Sequence, residues 1–217
     1  LVVAGRPGLR VHKRRYAHEH AAVTALPDAV RDVRPTALIG VSGQPQIFSR
    51  PVVEAMAEVN ERPVIFALSN PTSRAECTAE QAYDWTSGRA VFSSGSPSGV
   101  VVVGGRRYVP SQTNNAYIFP GLGLAVVAVG GRRVTENMFL AAARALAEQA
   151  DEGLLREGAL FPPLQRIREV SLRIAVAVTQ VVLAEGLAGR ELPENLEAYL
   201  RGCMYQPVYP EYLPESL

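Results

Sequence analysis

The chain has 217 residues, of which 47% are hydrophobic and 20% are charged, and its formal net charge is +1. A chain of this length can bury one large core or parts of two. The near balance of charges gives no reason to expect a nucleic acid or a membrane surface as partner. Apolar stretches stay shorter than the ~20 residues that a bilayer requires. The two cysteines, Cys77 and Cys203, are too few for a disulfide scaffold and indicate a reducing compartment.

The first part of the chain alternates apolar and amphipathic segments. Strands are predicted at residues 1–4, 36–41, 63–69 and 90–93, and a loop with a basic run follows the first of them. A helix is predicted at residues 26–33. Ser49 and Pro51 predict the start of a helix that runs to about Asn60. Thr78 and Gln81 have the spacing of a capping box for another helix, which Gly88 ends.

Short connections between alternating strands and helices favour parallel strands with right-handed crossovers. We therefore predict an α/β fold, a partial Rossmann-like doubly wound parallel sheet followed by a mainly helical C-terminal region. Helices are predicted there at residues 120–129, 135–150, 167–185 and 193–200. The segment from Tyr205 onward, rich in proline and tyrosine, is predicted to be extended.

Three predicted strands end in small or polar residues, at positions 40–43, 69–72 and 94–97. Ligands bind beyond the carboxyl ends of the strands in an open parallel sheet, and small residues permit close backbone approach. Such loops also favour Gly, Ser, Asn and Pro for turn formation alone. Three of them in register favour a binding crevice without naming its ligand.

Two other motifs are interpreted as structural. Gly121 and Gly123 resemble the start of a dinucleotide fingerprint, but the third glycine and the acidic residue of that fingerprint are absent, so helix packing is the better explanation. His18 and His20 do not share a helix face and have no third metal ligand nearby in sequence, so a solvated or capping role is the better explanation.

Several segments together closely resemble the malic enzyme family, and the plant-type members most. They are Tyr-Ala-His-Glu-His at 16–20, Ala-Leu-Ser-Asn-Pro-Thr at 67–72, Asn-Asn-Ala-Tyr-Ile-Phe-Pro-Gly at 114–121 and Cys-Met-Tyr-Gln-Pro-Val-Tyr at 203–209. The resemblance implies oxidative decarboxylation of (S)-malate to pyruvate and CO2, with reduction of NADP or NAD and with Mg²⁺ or Mn²⁺ as Lewis acid. It also implies a homo-oligomer, dimer or tetramer, in the cytosol, a plastid or a mitochondrion.

The resemblance also implies site residues. Those matched to malate binding are Asn70, Asn114 and Asn115, and those matched to cofactor binding are Arg6, Lys13, Val41, Ser42, Gly43 and again Asn70. We expect Lys13 to favour NADP over NAD, since its ammonium suits the 2′-phosphate, with Arg14 as the alternative. Basic loop residues are otherwise simply solvated. The sequence departs from the family at residues 44–46, Gln-Pro-Gln, where a small residue and a glycine are usual, and at Ser98, where phenylalanine is usual.

The family's catalytic Tyr and Lys, its metal carboxylates and its glycine-rich fingerprint are expected upstream of Leu1. We therefore expect a C-terminal portion, inactive alone. Its predicted divisions are the C-terminal part of the cofactor domain (1–114), a helical segment returning to the substrate domain (115–186) and a C-terminal extension (187–217). Two alternatives stay open: an inactive fragment or pseudoenzyme that acts as a binding module, and another Rossmann dehydrogenase.

Overall fold

The computed structural model describes residues 1–209, which form two compact units. The first unit contains Leu1–Asn114 and Glu152–Leu160. The second contains Asn115–Asp151 and the described residues from Phe161 onward. Each unit has its own buried apolar cluster.

The elements follow the order that the sequence indicates. The helices are α1 Val11–Arg14, α2 Leu26–Val33, α3 Arg50–Val59, α4 Ala79–Trp85, α5 Phe119–Ala128, α6 Glu136–Ala147, α7 Glu152–Arg156, α8 Ile167–Ala184 and α9 Leu196–Cys203. The strands are β1 Ala37–Gly40, β2 Val64–Ala67, β3 Val91–Ser94, β4 Val101–Val103, β5 Arg106–Tyr108 and β6 Ser111–Gln112. Short 3₁₀ turns lie at Thr72–Arg74, Asn115–Tyr117 and Leu164–Arg166.

The first unit is built on a parallel sheet with strand order β1-β2-β3-β6. Leu38 pairs with Ile65, which pairs with Phe92, so the three predicted strands lie in register. The fourth strand, β6, was not predicted, and it adds to the same sheet beside β3. The predicted α/β fold with a parallel sheet is confirmed.

A two-stranded antiparallel hairpin, β4–β5, was also missed. Its turn is Gly104-Gly105 with φ values of +57° and +77°, which suit the tight hairpin turns that match strand twist. Tyr108 of the hairpin stacks on Tyr83 of α4, with ring centroids 4.2 Å apart, and both are buried. Burial raises the pKa of Tyr83 to about 12, so its phenol stays protonated.

The predicted strand at residues 1–4 is wrong. Only an isolated bridge joins Val3 to His18, with backbone hydrogen bonds from Ala4 N to His18 O and from His18 N to Val2 O, each of 3.0 Å. Within the described chain, Val3 is the one residue of this segment that forms a bridge, so no ladder of strand hydrogen bonds extends along residues 1–4. The basic run beyond it, predicted as loop, contains the short helix α1.

The predicted helix starts are confirmed only in part by capping hydrogen bonds. Thr78 Oγ1 accepts from Gln81 N at 3.2 Å, and Thr78 N donates to the Gln81 side chain at 2.8 Å, so the predicted capping box is confirmed. Ser49 precedes α3 as predicted, but its side chain makes no capping hydrogen bond. The last helix begins at Leu196, capped by Asn195, three residues later than predicted.

Helices dominate the second unit. The 18-residue helix α8 is buried on most of its length and packs against α5 and α6. No helix within residues 1–209 is both long and apolar enough to cross a membrane. Residues 205–209 have no regular secondary structure, and the rest of the predicted extension, residues 210–217, lies outside the described residues.

The two glycines of α5 differ in surroundings. A Cβ on Gly121 would lie 2.7 Å from Ile174 Cβ and 2.7 Å from the Ser171 carbonyl oxygen, so Gly121 allows α5 to approach α8. A Cβ on Gly123 would meet no atom within 4 Å. Helix packing therefore explains Gly121 and not Gly123.

This difference predicts opposite effects of the same substitution. Gly121→Ala should destabilise the second unit by about 1–3 kcal/mol, as overpacked cores do. Gly123→Ala, the matched control, should be neutral or stabilising by up to about 1 kcal/mol, because alanine is the better helix former. Denaturant unfolding of the two variants and the parent checks this, and equal midpoints would contradict the packing explanation.

Candidate functional site

Four loops leave the carboxyl edge of the parallel sheet side by side. Neighbouring strands of a sheet lie about 4.8 Å apart, so loops that follow adjacent strands are neighbours too. Ser42 follows β1, Asn70 follows β2, Ser96 follows β3 and Asn114 follows β6. The three predicted polar strand ends are thus brought together, and the unpredicted β6 adds a fourth.

The most connected side chain at this edge is Glu76, which the sequence analysis did not identify. It is fully buried. Its Oε1 accepts from Ser42 N at 2.8 Å, Ser42 Oγ at 2.8 Å and Ser69 Oγ at 2.5 Å. Its Oε2 accepts from Ser69 N at 3.2 Å. One carboxylate therefore joins the loop after β1 to the end of β2.

Hydrogen bonding keeps this carboxylate charged. Burial acts to raise the pKa of Glu76, but the hydrogen bonds from Ser69 and Ser42 outweigh burial and leave the pKa below its ordinary value of 4.5. Cys77 lies next to it in the core, and burial together with the negative charge of Glu76 raises the pKa of its thiol to about 12. Cys77 is therefore an inert thiol, and both cysteines are free.

The loop after β1 uses its backbone donors inside the protein. Gly43 adopts a φ of +66°, which favours glycine, and its N–H donates to Ser69 Oγ at 2.9 Å. Ser42 N donates to Glu76, and Gln44 N donates to Ser42 Oγ at 3.1 Å. Val41 is 77% exposed. The loop therefore offers a ligand an apolar surface rather than a nest of N–H groups.

The departure at residues 44–46 has a structural counterpart. Gln46 adopts a φ of +59°, a left-handed conformation that costs a residue with a Cβ about 1–2 kcal/mol. Two hydrogen bonds offset that cost: Gln46 N donates to Ala75 O at 3.1 Å, and its side chain accepts from Gln81 Nε2 at 2.7 Å. The departing segment thus includes one residue in a left-handed conformation, which these two hydrogen bonds stabilise.

Asn70 is exposed, and one end of its amide is fixed. Ser96 Oγ donates to Asn70 Oδ1 at 2.7 Å, whereas Asn70 Nδ2 has only a long contact of 3.5 Å to Leu68 O. A Cβ on Gly95 would lie 2.8 Å from Asn70 Nδ2, so glycine leaves room for the amide. This arrangement leaves the Nδ2 donor able to bind an anion at the sheet edge.

The paired asparagines lie where the two units meet in sequence. Asn114 is exposed and follows Thr113, whose N–H continues the β6 pairing by donating to Ser94 O at 2.9 Å. Asn115 is exposed and opens the 3₁₀ turn Asn115–Tyr117 of the second unit. Asn114 therefore belongs to the sheet edge, and Asn115 belongs to the helical unit.

The basic segment before α2 brings two arginines together. Arg6 and Arg14 line an open pocket of about 440 Å³ with Ala4, Gly8, Leu9 and Ala17. Lys13 is exposed on α1 and does not line this pocket. Of the predicted basic residues, the structure thus groups Arg6 with Arg14, the alternative to Lys13.

Other candidate sites carry no chemistry of this kind. No group of three or more His, Cys, Asp or Glu side chains within residues 1–209 could hold a metal ion. His20 Nε2 lies 3.4 Å from Asp32, and His20 Nδ1 lies 2.8 Å from Ala21 O, in agreement with a structural role.

A larger pocket of about 850 Å³ lies at the amino ends of β2 and β3, and its Arg89 donates hydrogen bonds to the backbone carbonyls of Ala57, Asn60 and Glu61.

Comparison with known proteins agrees with the resemblance. The family model "Malic enzyme, NAD binding domain" matches residues 1–183. The chain is 52% identical over 213 residues to the chloroplastic NADP-dependent malic enzyme of Oryza sativa subsp. japonica, covering 98% of the chain and 33% of that protein. It is 50% identical over 214 residues to the chloroplastic enzyme of Zea mays and to the NADP-dependent malic enzyme of Vitis vinifera, covering 98% of the chain in both cases and 34% and 36% of those proteins.

Solved structures give the same result. The malic enzyme from Pyrococcus horikoshii Ot3 superposes with a TM-score of 0.62 at 26% identity, covering 82% of this chain and 36% of that chain. The Entamoeba histolytica malic enzyme, at 21% identity and a TM-score of 0.69, covers 93% of this chain and 38% of that chain and supports the fold alone. The chain spans about a third of the length of the curated relatives it matches. By the extent of the family match and the identity to these relatives, the chain belongs to the malic enzyme family.

Proposed function

We propose that the protein containing this chain oxidises (S)-malate with NADP⁺ and releases pyruvate, CO2 and NADPH. The observation that carries the proposal is the carboxyl edge of the parallel sheet, where the exposed Asn70 lies beside the loop after β1. The names of the relatives, NADP-dependent malic enzymes, support it.

Asn70 suits a dicarboxylate substrate. Its Oδ1 accepts from Ser96 Oγ, so we assign ligand binding to Nδ2, whose contact with Leu68 O is long. A neutral amide can donate to a malate carboxylate without adding charge beside a metal ion and a cofactor. We propose the same role for Asn114, which follows the neighbouring β6, and for Asn115.

The loop after β1 suits the uncharged part of a dinucleotide. Because Ser42 N and Gly43 N donate inside the protein, contact with the cofactor falls to the exposed surface of Val41 and the outer faces of Ser42 and Gly43. Asn70 lies next to this loop and can contact both ligands. When bound, NADP accepts the hydride that leaves C2 of malate.

The charged end of the cofactor needs cations. We propose that Arg6 and Lys13 bind the adenosine end and that the segment's positive charge favours NADP, whose 2′-phosphate adds close to two negative charges. Arg14 is the alternative to Lys13, and its place beside Arg6 in one pocket supports it.

The remaining chemistry is assigned to residues outside this chain. No cluster of metal-binding side chains exists within residues 1–209, so we propose that Mg²⁺ or Mn²⁺ and the catalytic proton-transfer groups are held elsewhere in the complete enzyme. The ion would act as a Lewis acid on the carbonyl during decarboxylation.

The division of the chain is also a proposal. We infer that residues 1–114 belong to the cofactor domain, 115–186 to the substrate domain, and 187–217 to a C-terminal extension. The boundary between the compact units after Asn114 supports the first division, whereas Glu152–Leu160, within the second, belongs to the first compact unit. Of the three compartments considered, the plastid is supported by the chloroplastic relatives, and a homo-oligomer remains our expectation.

The 217-residue chain alone should show no malate-dependent reduction of NADP with Mn²⁺, because a metal cluster is absent from residues 1–209. A spectrophotometric assay at 340 nm, with a longer protein carrying the upstream segments as positive control, checks this. Turnover by the purified chain would contradict the assignment of catalysis to other residues.

In the complete enzyme, Asn70→Ala should lower kcat/KM for malate about 10- to 150-fold, the value of a hydrogen bond to a charged group at roughly 1.5–3 kcal/mol. Ser96→Ala, which only frees the amide, should have a smaller effect in the same direction. Ser73→Ala, exposed in the same turn, is the control and should change nothing. If Asn70→Ala unfolds readily but keeps kcat/KM, Asn70 is a structural turn residue.

Substitutions in the basic segment should change cofactor preference. Lys13→Gln should lower the NADP/NAD ratio of kcat/KM about 5- to 150-fold, mostly through KM for NADP, as expected for one charged contact. Arg14→Gln tests the alternative, and exposed Arg10→Gln is the control. Steady-state kinetics with both cofactors measure the effect, and an unchanged ratio in both variants would remove the assignment.

A further inference from the structure

One buried carboxylate contacts both loops to which the proposed function assigns ligands. We propose that Glu76 is a positioning residue that ties the cofactor loop after β1 to the substrate-binding end of β2, so that neither loop moves without the other. This inference rests on the proposed function for the identity of the two ligands. Its structural part, the coupling of the two loops, stands on the contacts of Glu76 alone.

The contacts divide evenly between the two loops. Ser42 gives Glu76 its backbone N–H and its hydroxyl, and Ser69 gives the same two groups. Ser69 Oγ also accepts from Gly43 N at 2.9 Å, which adds a direct link between the loops. Ser69 immediately precedes Asn70, so a shift of Ser69 moves the backbone that carries the substrate amide.

A carboxylate is the side chain that this arrangement requires. Four donors converge on Glu76, and an ionised carboxylate has two oxygens with about four acceptor positions and no hydrogen to clash with them. Glutamine has the same shape but would direct an NH2 group at a donor in place of one oxygen. Within residues 1–209 Glu76 has no ion pair, so its charge depends on these neutral donors.

Neighbouring residues pack closely on the side chain of Glu76 and bind its backbone. A Cβ on Gly40, the last residue of β1, would lie 2.6 Å from both Cγ and Cδ of Glu76. The backbone of Glu76 is also fixed, because its carbonyl accepts from Phe48 N at 3.0 Å. The loop after β1 is thus held at Ser42 by the side chain and at Phe48 by the backbone of the same residue.

The experiment uses the complete enzyme and the variants Glu76→Gln and Ser69→Ala. Exposed Glu61→Gln, whose side chain makes no hydrogen bond to residues 1–209, is the matched control. The first readout is hydrogen exchange by mass spectrometry, without ligands, under conditions where each variant is folded. We expect amide exchange at residues 42–48 and 68–70 to rise together, at least 5-fold, in Glu76→Gln and to a smaller extent in Ser69→Ala. Loosening of only one loop, or of neither, would overturn the proposal.

The second readout is kinetic. Glu76→Gln should raise KM for NADP and KM for malate, each about 5-fold or more, with both KM values unchanged in Glu61→Gln. If Glu76 is needed only for folding, Glu76→Gln should lower the yield and the Tm, but the folded fraction should keep both KM values of the parent enzyme. That result would also overturn the proposal. If Glu76→Gln fails to fold, Ser69→Ala carries both readouts together with Ser42→Ala, because Ser69→Ala also removes the acceptor of Gly43 N whereas Ser42 Oγ makes no direct bond to the loop after β2. If the wild-type enzyme does not turn over malate with NADP, the proposed function is refuted. The hydrogen-exchange result would then still test whether Glu76 couples the two loops.

Discussion

The arrangement of the loops at the carboxyl edge of the sheet depends on one constraint: the buried carboxylate of Glu76 needs hydrogen-bond donors. An ionised group taken out of water without partners costs far more than a fold can sustain, so its neighbours are constrained by it. Glu76 meets that requirement with four N–H and O–H groups from Ser42 and Ser69. The same constraint explains why Gly40 has no side chain and why the loop after β1 turns inward. Local backbone geometry at the candidate site is thus a consequence of one charge.

Much of the fold could be predicted because it rests on local patterns. The strands β1 to β3 are short apolar runs that alternate with helices, which is the pattern of a parallel sheet. Strand β1 has this pattern although Ile39 is exposed, so the expected burial of both faces is wrong for β1. Strand β6, by contrast, is Ser111–Gln112, whose polar side chains carry no strand signal; it is a strand because β3 offers it a partner. The hairpin carries a sequence signal, Gly104-Gly105 between two short runs. The segment at residues 1–4 has an apolar run but only one pairing position, so pattern alone gave the wrong result.

The residues of the candidate site also differ in how far the sequence alone predicts them. Asn70 could be found from sequence because its place after a strand puts it at the carboxyl edge, and the family resemblance assigned it a role. Glu76 could not, because a glutamate six residues beyond it, just before a capped helix, is indistinguishable from a solvated surface residue. Its burial depends on how the segment before α4 crosses the end of β1, which is a tertiary fact. The predicted role of Lys13 depends likewise on side-chain placement, and the pocket groups Arg6 with Arg14 instead.

The N–H groups of the loop after β1 donate to acceptors inside the protein, and this limits how the loop could bind a dinucleotide. Phosphate-binding loops at helix N-termini work because their N–H groups point outward at the anion. Here the N–H groups of Ser42 and Gly43 are bonded to Glu76 and Ser69, and an ionised carboxylate lies directly beneath them. A phosphate against this loop would meet no free donor from these two residues and would be repelled by the buried charge. The loop therefore suits an uncharged sugar or ring, and binding of the phosphates must fall to cationic side chains elsewhere. Within the first unit the segment that contains Arg6, Lys13 and Arg14 carries such side chains, and our proposal assigns the phosphates to it.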